Sequence, residues 1–249
     1  MYNTVISCAI SGIEGLLIHV ESDVSDGLPM FNMVGFLASE VREANERVRT
    51  ALRNAGLSLP PKRITINLSP AYIRKEGSSF DLPIAISILA AMGYIPNDNL
   101  IDTLIVGELS LNGQVNSING ILPIVHFAQK QGIKTCILPF DNRFEGGVIH
   151  GVKVIGVKSL SETIEYLNNP ELIEPTVVSI DKLFEEVEGE KNEDFSQIKG
   201  QETMKRAMEI AVAGRHNILL NGSAGAGKSM IAKCVPSIMP RLTFEESIE

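Results

Sequence analysis

Gly222-Ser-Ala-Gly-Ala-Gly-Lys-Ser229 matches the phosphate-binding pattern Gly-x4-Gly-Lys-Ser/Thr at every specified position. The β-prone run 216–221 directly before it predicts a strand, and the run 230–235 directly after it predicts a helix. This order matters because backbone N–H groups of the glycine-rich turn and of the helix N-terminus must point at the phosphates. The stretch therefore predicts a P-loop α/β unit in the C-terminal part of the chain.

The residues of this loop have separate expected roles in holding ATP and Mg²⁺. The glycines let the backbone approach anionic oxygens, Lys228 neutralises the β- and γ-phosphates, and Ser229 coordinates Mg²⁺. The predicted nucleotide-binding residues are Gly222, Ser223, Ala224, Gly225, Ala226, Gly227, Lys228 and Ser229. A glycine-rich turn that binds nothing is the alternative interpretation.

Hydrolysis of the nucleotide is a separate prediction, because it needs an acidic residue at the end of a later strand. The twenty residues after Ser229 contain Glu245, Glu246 and Glu249 but no apolar run that ends in Asp-Glu. We therefore expect nucleotide binding without the later acidic and arginine elements of catalysis, as in a chain truncated before its catalytic acid.

The composition excludes several classes of protein. With 44% hydrophobic and 21% charged residues the chain is globular, and it has no apolar run long enough to span a membrane. The chain has an odd number of cysteines, and they are far apart: Cys8, Cys136 and Cys234. This number and this spacing argue against a disulfide framework and against a zinc site. The N-terminus lacks an export signal, so we expect a cytoplasmic protein.

Charge is distributed very unevenly although the net charge is −8. Residues 42–75 carry a local net charge of +6, and residues 161–195 carry −9. The candidate DNA contacts in the basic region are Arg42, Arg49, Arg53 and Arg63. The alternative is that these arginines form a solvated helix face or pair with the acidic region of another subunit.

Periodicity predicts an α/β (α+β) domain over residues 1–168, an acidic linker over 169–194 and a second domain over 195–249. The expected strands of the first domain are 5–10, 16–20, 31–34, 63–68, 104–109, 135–138 and 152–157. The expected helices are 39–55, 79–92, 122–131 and 160–167, of which 79–92 is apolar on all sides and should be buried.

The lead-in to the phosphate loop carries a family resemblance. The segment Phe195-Ser-Gln-Ile-Lys-Gly-Gln201, the predicted helix up to Ala213 and the loop together resemble the opening of a magnesium-chelatase-type AAA+ ATPase domain. In such domains the matching segment lines the adenine pocket, so the resemblance implies adenine contacts at Ile198 and Gly200.

Residues 1–168 contain four segments that carry a second resemblance: Gly27-Leu-Pro-Met-Phe-Asn-Met-Val-Gly35, Arg47-Val-Arg-Thr-Ala-Leu-Arg53, Arg63-Ile-Thr-Ile-Asn-Leu68 and Arg74-Lys-Glu-Gly-Ser-Ser-Phe-Asp-Leu-Pro-Ile-Ala85. These segments resemble the N-terminal domain of the ComM/YifB family of magnesium-chelatase-like proteins. The resemblance implies a domain similar to the proteolytic domain of Lon, of the left-handed βαβ type seen in a ribosomal-protein superfamily, ahead of an AAA+ motor.

The resemblance also implies a function and partners. Members of this family look like hexameric DNA-remodelling ATPases, and the ComM group is linked to competence and recombination. The resemblance thus implies ATP, Mg²⁺, DNA and further copies of the chain as partners. The alternative is a non-catalytic DNA- or protein-interaction module built on a protease-like domain that lacks the Ser-Lys dyad.

The sequence departs from the Lon pattern at the protease dyad. Ser79 lies nearest to the position of the Lon serine, but the position of the Lon lysine is occupied by Leu122. A serine without a nearby base is a weak nucleophile, so we expect no protease activity and interpret Ser79 as a helix N-cap. Only an unexpected approach of Lys75 or Lys134 to Ser79 would change this expectation.

Overall fold

The computed structural model describes residues 1–179, 194–240, 243 and 246. It divides the chain into two units, Met1–Val178 and Ser179–Glu249. Residues 180–193, which form most of the expected acidic linker, lie outside the described residues.

The first unit is built on a seven-stranded mixed sheet. The strands of this unit are β1 (Tyr2–Ser11), β2 (Glu14–Ser25), β3 (Met30–Val34), β4 (Arg63–Ser69), β5 (Thr103–Ile105), β6 (Glu108–Leu109), β7 (Val115–Asn116), β8 (Thr135–Pro139) and β9 (Lys153–Val157). The order in the large sheet is β3-β4-β2-β1-β5-β8-β9, while β6 and β7 form a separate antiparallel pair. β2 is antiparallel to both of its neighbours, and all other pairs in the large sheet are parallel.

Helices cover both faces of this sheet. They are α1 (Ser39–Asn54), α2 (Asp81–Ala91), α3 (Ile121–Lys130), α4 (Arg143–Gly147) and α5 (Leu160–Asn168). Ile137 of β8 packs in the core formed with α1, α2 and α5. Its neighbours Cys136 and Leu138 are also fully buried, because successive strand residues point to opposite faces and α3 and α4 cover the second face.

The structure confirms the predicted mixed α/β class and, within a few residues, the predicted elements of the first unit. The parallel pair β3 and β4, joined by α1, forms a βαβ unit. The buried helix is also confirmed, since every residue of α2 is buried.

Two details of the first unit differ from the prediction. The single strand predicted over 104–109 is broken into β5 and β6, because the backbone of Gly107 bonds to Ser79 and Leu82 instead of to a neighbouring strand. The predicted N-cap role of Ser79 is wrong. The cap of α2 is Phe80, and its side chain makes no capping hydrogen bond.

The second unit contains α6 (Glu202–Ala213) and α7 (Lys228–Cys234), with short 3-10 turns at Phe195–Gln197 and Val235–Ile238. The strand predicted over 216–221 is wrong, since these residues form no strand and Leu219 is 90% exposed. The physical reason is that an isolated strand leaves its backbone groups unpaired, and residues 194–240 contain no second strand to pair with it.

Candidate functional site

The phosphate loop is shaped by two glycines in the left-handed region. Gly225 and Gly227 both have φ of +79°, a conformation that side-chain-bearing residues rarely adopt. Gly227 caps the N-terminus of α7, and the amide of Ile231 closes the first turn on the carbonyl of Gly227. The sequence glycines therefore occupy positions where the backbone geometry requires them.

Lys228 and Ser229 are the first two residues of α7. The ammonium of Lys228 donates hydrogen bonds to the carbonyls of Gly222, at 2.8 Å, and Ser223, at 2.6 Å. The lysine charge is thus held against the same loop whose backbone would surround a phosphate. The residue Ser229 is exposed, so a metal ion carried in with a nucleotide has access to it.

The two residues implied in adenine binding lie in different surroundings. Ile198 is only 4% exposed and belongs to a small core that includes Ile231 and Cys234 of α7. Gly200 is exposed, with φ of +68°, directly before the residue that caps α6. Ile198 thereby ties the lead-in segment to the helix that follows the phosphate loop.

The four candidate DNA contacts are exposed, and none forms an ion pair with another described residue. The structure brings Arg42 and Arg63 together in a groove of about 470 Å³, beside Phe31 and the amide side chain of Asn45. The other two, Arg49 and Arg53, are not among the described residues that line this groove. The amide oxygen of Asn45 is buried without a hydrogen-bond partner among the described residues.

Arg47 and Asp81 form a partly buried ion pair that sequence reasoning missed. The guanidinium of Arg47 donates to both oxygens of Asp81, at 2.6 and 2.9 Å, and the amide of Leu109 donates to the same carboxylate at 3.2 Å. Asp81 is fully buried although it is a charged residue in the first turn of α2. The two residues are 34 positions apart, so no local pattern could have paired them.

A second cleft, of about 380 Å³, lies beside Ser78 and Ser79. Ser78 donates a hydrogen bond to the carboxylate of Glu108, which also lines the cleft. No lysine or histidine is among the described residues that line this cleft. The cleft therefore combines accessible hydroxyl groups with a fixed carboxylate.

Neither lysine considered for the protease dyad is available to Ser79. Lys75 is fully buried and donates to the carbonyl of Pro70, and burial lowers the pKa of Lys75. Lys134 pairs with Asp102 at 2.8 Å. Both lysines are thus engaged with groups other than Ser79.

Comparison with known proteins identifies the family. The family model for subunit ChlI of magnesium chelatase matches residues 20–142, and a second model, magnesium chelatase subunit ChlI, matches residues 194–249. The chain is 37% identical over 245 residues to the competence protein ComM of Haemophilus influenzae, and 38% identical over 241 residues to the YifB protein of Escherichia coli. This chain belongs to the ComM/YifB family of magnesium-chelatase-like proteins.

Coverage of these relatives is partial. The matches span 98% and 97% of this chain but 48% of ComM and 46% of YifB, so the chain spans about half the length of the curated relatives it matches. Half of the chain is also 36% identical, over 127 residues, to Lon protease 2 of Bacillus subtilis. The first unit is accordingly a Lon-protease-like domain. No helix among the described residues is long and apolar enough to cross a membrane.

Proposed function

We propose that the chain binds ATP with Mg²⁺ through residues 222–229 and acts as the nucleotide-binding part of a magnesium-chelatase-like AAA+ protein. The observation that carries the proposal is the complete Gly-x4-Gly-Lys-Ser loop, with left-handed glycines at Gly225 and Gly227 directly before α7. Membership of the ComM/YifB family and the magnesium-chelatase match over 194–249 support it.

In the proposed complex the loop backbone donates N–H groups to the phosphates. The ammonium of Lys228 leaves the carbonyls of Gly222 and Ser223 and pairs with the β- and γ-phosphates. Ser229 coordinates the Mg²⁺ that accompanies the nucleotide, and the segment around Ile198 and Gly200 contacts the adenine. These residues bind and orient the nucleotide, and we assign no catalytic residue to them.

At the level of the whole protein we propose a hexameric ring ATPase that remodels DNA in competence or recombination. The name of the relative from Haemophilus influenzae, a competence protein, supports this proposal. The catalytic acid and arginine elements of hydrolysis would come from the part of the relatives that this chain does not span. We also propose a cytoplasmic location, which the unpaired thiols of Cys8 and Cys136 fit because disulfides are rare there.

The nucleotide test is a titration of fluorescent ATP with Mg²⁺ into the full chain, followed by fluorescence anisotropy, for the natural sequence and for Lys228→Ala. We expect the variant to bind the nucleotide at least about tenfold more weakly. The reason is that a hydrogen bond to a charged group contributes roughly 1.5–3 kcal/mol of binding free energy. Lys205→Ala on α6 is the matched control and should bind normally. Absence of binding by the natural chain, or equal binding by Lys228→Ala, would refute the proposal.

A second candidate function is DNA binding through the groove that contains Arg42 and Arg63. These two arginines line one groove together with Phe31 and Asn45, which favours this function. Neither guanidinium group forms an ion pair with a described acidic residue. Removal of an arginine that binds a DNA phosphate should reduce the steepness with which affinity falls as salt increases. Arg42→Ala should therefore flatten the salt dependence of single-stranded DNA binding, and Arg206→Ala in the second unit should not. A salt-independent affinity would exclude binding to the DNA backbone.

A further inference from the structure

The chain covers one edge of the seven-stranded sheet with its own backbone, whereas the described residues leave the other edge open. At the β9 edge, Thr176 forms an antiparallel bridge with Val154, and the amide of Thr176 donates to the carbonyl of Val154 at 2.8 Å. At the opposite edge, β3 pairs only with β4, and no other described residue forms a hydrogen bond with its backbone. Because alternate backbone groups of an edge strand point away from the sheet, β3 offers unpaired N–H and C=O groups.

β3 lacks the features by which proteins usually protect an edge strand. Charged side chains, proline and bulges commonly prevent such a strand from pairing with another chain. Residues 27–38 contain no charged side chain, and β3 itself contains no proline. Met30 and Val34 are 46% and 51% exposed. Just beyond the two ends of the strand, Leu28 and Phe36 are 81% and 54% exposed. The edge is therefore suited to pairing with another strand.

The sequence around β3 is complementary to itself. When two antiparallel copies are aligned with Asn32 opposite Asn32, apolar residues lie opposite apolar residues on both sides of this centre. The opposed pairs are Met30 with Val34, Phe31 with Met33 and, beyond the strand, Leu28 with Phe36. Residues directly opposite each other in an antiparallel pair interact most closely, and apolar pairs of this kind stabilise a sheet. The strand that fits this edge best is therefore β3 of a second copy of the chain.

The charge of Arg63 does not oppose this pairing. Arg63 lies next to Met30 on β4, one strand in from the edge. In the two-fold pair, the two Arg63 positions are separated by three strand spacings of about 4.8 Å and by four residues of about 3.3 Å along the strands. Their backbones are thus about 20 Å apart, which exceeds the Debye length of about 8 Å at physiological salt.

We propose that two copies of this chain associate through β3, which pairs antiparallel with β3 of the second copy about a two-fold axis at Asn32. The seven-stranded sheet of one copy continues into that of the other. Main-chain hydrogen bonds and the opposed apolar pairs supply the affinity, and the position of Asn32 at the axis defines the register. Such a contact is isologous and closes at two copies, so it is separate from the ring proposed for the whole protein. It uses the first unit alone and does not depend on the nucleotide loop.

The experiment measures self-association of the full chain without nucleotide. Sedimentation equilibrium from about 1 to 500 µM should show a reversible monomer–dimer equilibrium with a dissociation constant in the micromolar range, because a short edge strand forms a small interface. Asn32→Asp places two like charges opposite each other at the axis, so it should weaken the dimer at least about tenfold, and Asn32→Lys should do the same. An equimolar mixture of the two variants places opposite charges at the axis. It should associate at least as tightly as the natural chain.

Control variants separate this contact from other modes of association. Asn119→Asp and Asn119→Lys change the same residue type at an exposed position outside β3, and both should leave the dimer unchanged. Lys228→Ala should also leave it unchanged, so failure of the nucleotide proposal would be seen separately. Circular dichroism checks the folding of each variant. If an Asn32 variant is poorly folded, Met30→Glu and Val34→Lys replace the pair, because these two positions are more exposed and are opposed in the same register.

Four outcomes would overturn the proposal. The first is a monomer at every concentration, and the second is association of the charge variants that equals that of the natural chain. The third is a mixture of the two charge variants that associates no more tightly than either variant alone. The fourth is association that requires ATP with Mg²⁺, which would assign the contact to the second unit.

Discussion

Replacement of Arg47 by methionine tests the partly buried ion pair that joins α1 to α2. The change removes the two short hydrogen bonds to Asp81 while keeping most of the unbranched side chain that packs in the protein. Asp81 is fully buried, so its carboxylate would remain without its charged partner. Removal of one partner from a buried pair typically costs about 3–5 kcal/mol of unfolding free energy, and we expect a loss of this size at pH 7.

The pH dependence of this loss has a definite sign. Burial raises the pKa of Asp81 above its ordinary value of 3.8, and the Arg47 guanidinium offsets only part of the rise, so Arg47→Met should raise the pKa of Asp81 further. The folded protein then holds the proton more tightly than the unfolded chain does. Its stability therefore falls as pH increases from about 3.8 through the raised pKa. The stability difference between Arg47→Met and the natural chain should shrink on acidification from pH 7.

Urea unfolding, followed by tyrosine fluorescence, measures this difference in unfolding free energy for the unit Met1–Val178. The chain has four tyrosines and no tryptophan, and all four tyrosines lie within Met1–Val178. Arg74→Met is the control, because Arg74 and Glu76 form a pair in which both side chains are more than half exposed. It should change stability by at most about 0.5 kcal/mol. A loss below about 1 kcal/mol for Arg47→Met, or a loss that is the same at pH 7 and pH 5, would refute the reasoning.

Three further predictions concern the core of the first unit. Gly15→Ala would place a Cβ atom 2.5 Å from the Cβ of Phe127, so it should destabilise the unit by about 1–3 kcal/mol in the same urea assay. Leu52→Ala, at a fully buried position on α1, should cost about 2–5 kcal/mol, and a cost below about 1 kcal/mol would mean that the site collapses around the smaller side chain. Burial raises the pKa of Cys8 to about 12 and also raises that of Cys136, so neither thiol should react with a disulfide reagent at pH 8 until urea unfolds the protein.

Local patterns in the sequence were sufficient for most elements of the first unit and for the position of the glycine-rich loop. A helix or strand of this unit depends on the spacing of apolar residues over ten or so neighbouring positions, and the loop depends on glycines within eight positions. The same reasoning failed for 216–221, where a β-prone run forms no strand. The run had the composition of a strand, but strand formation requires a partner that the described residues of the second unit do not provide.

Contacts between distant positions were decided only by the tertiary structure. The sequence by itself determined the family motifs, the mixed α/β class and the position of the nucleotide loop, because each is encoded in adjacent residues. The packing of helices, strands and loops brought Arg47 to Asp81 and Ser78 to Glu108, across 34 and 30 positions, and gathered Arg42 and Arg63 in one groove. Such pairings depend on how the elements pack, and neither periodicity nor spacing along the chain contains that information.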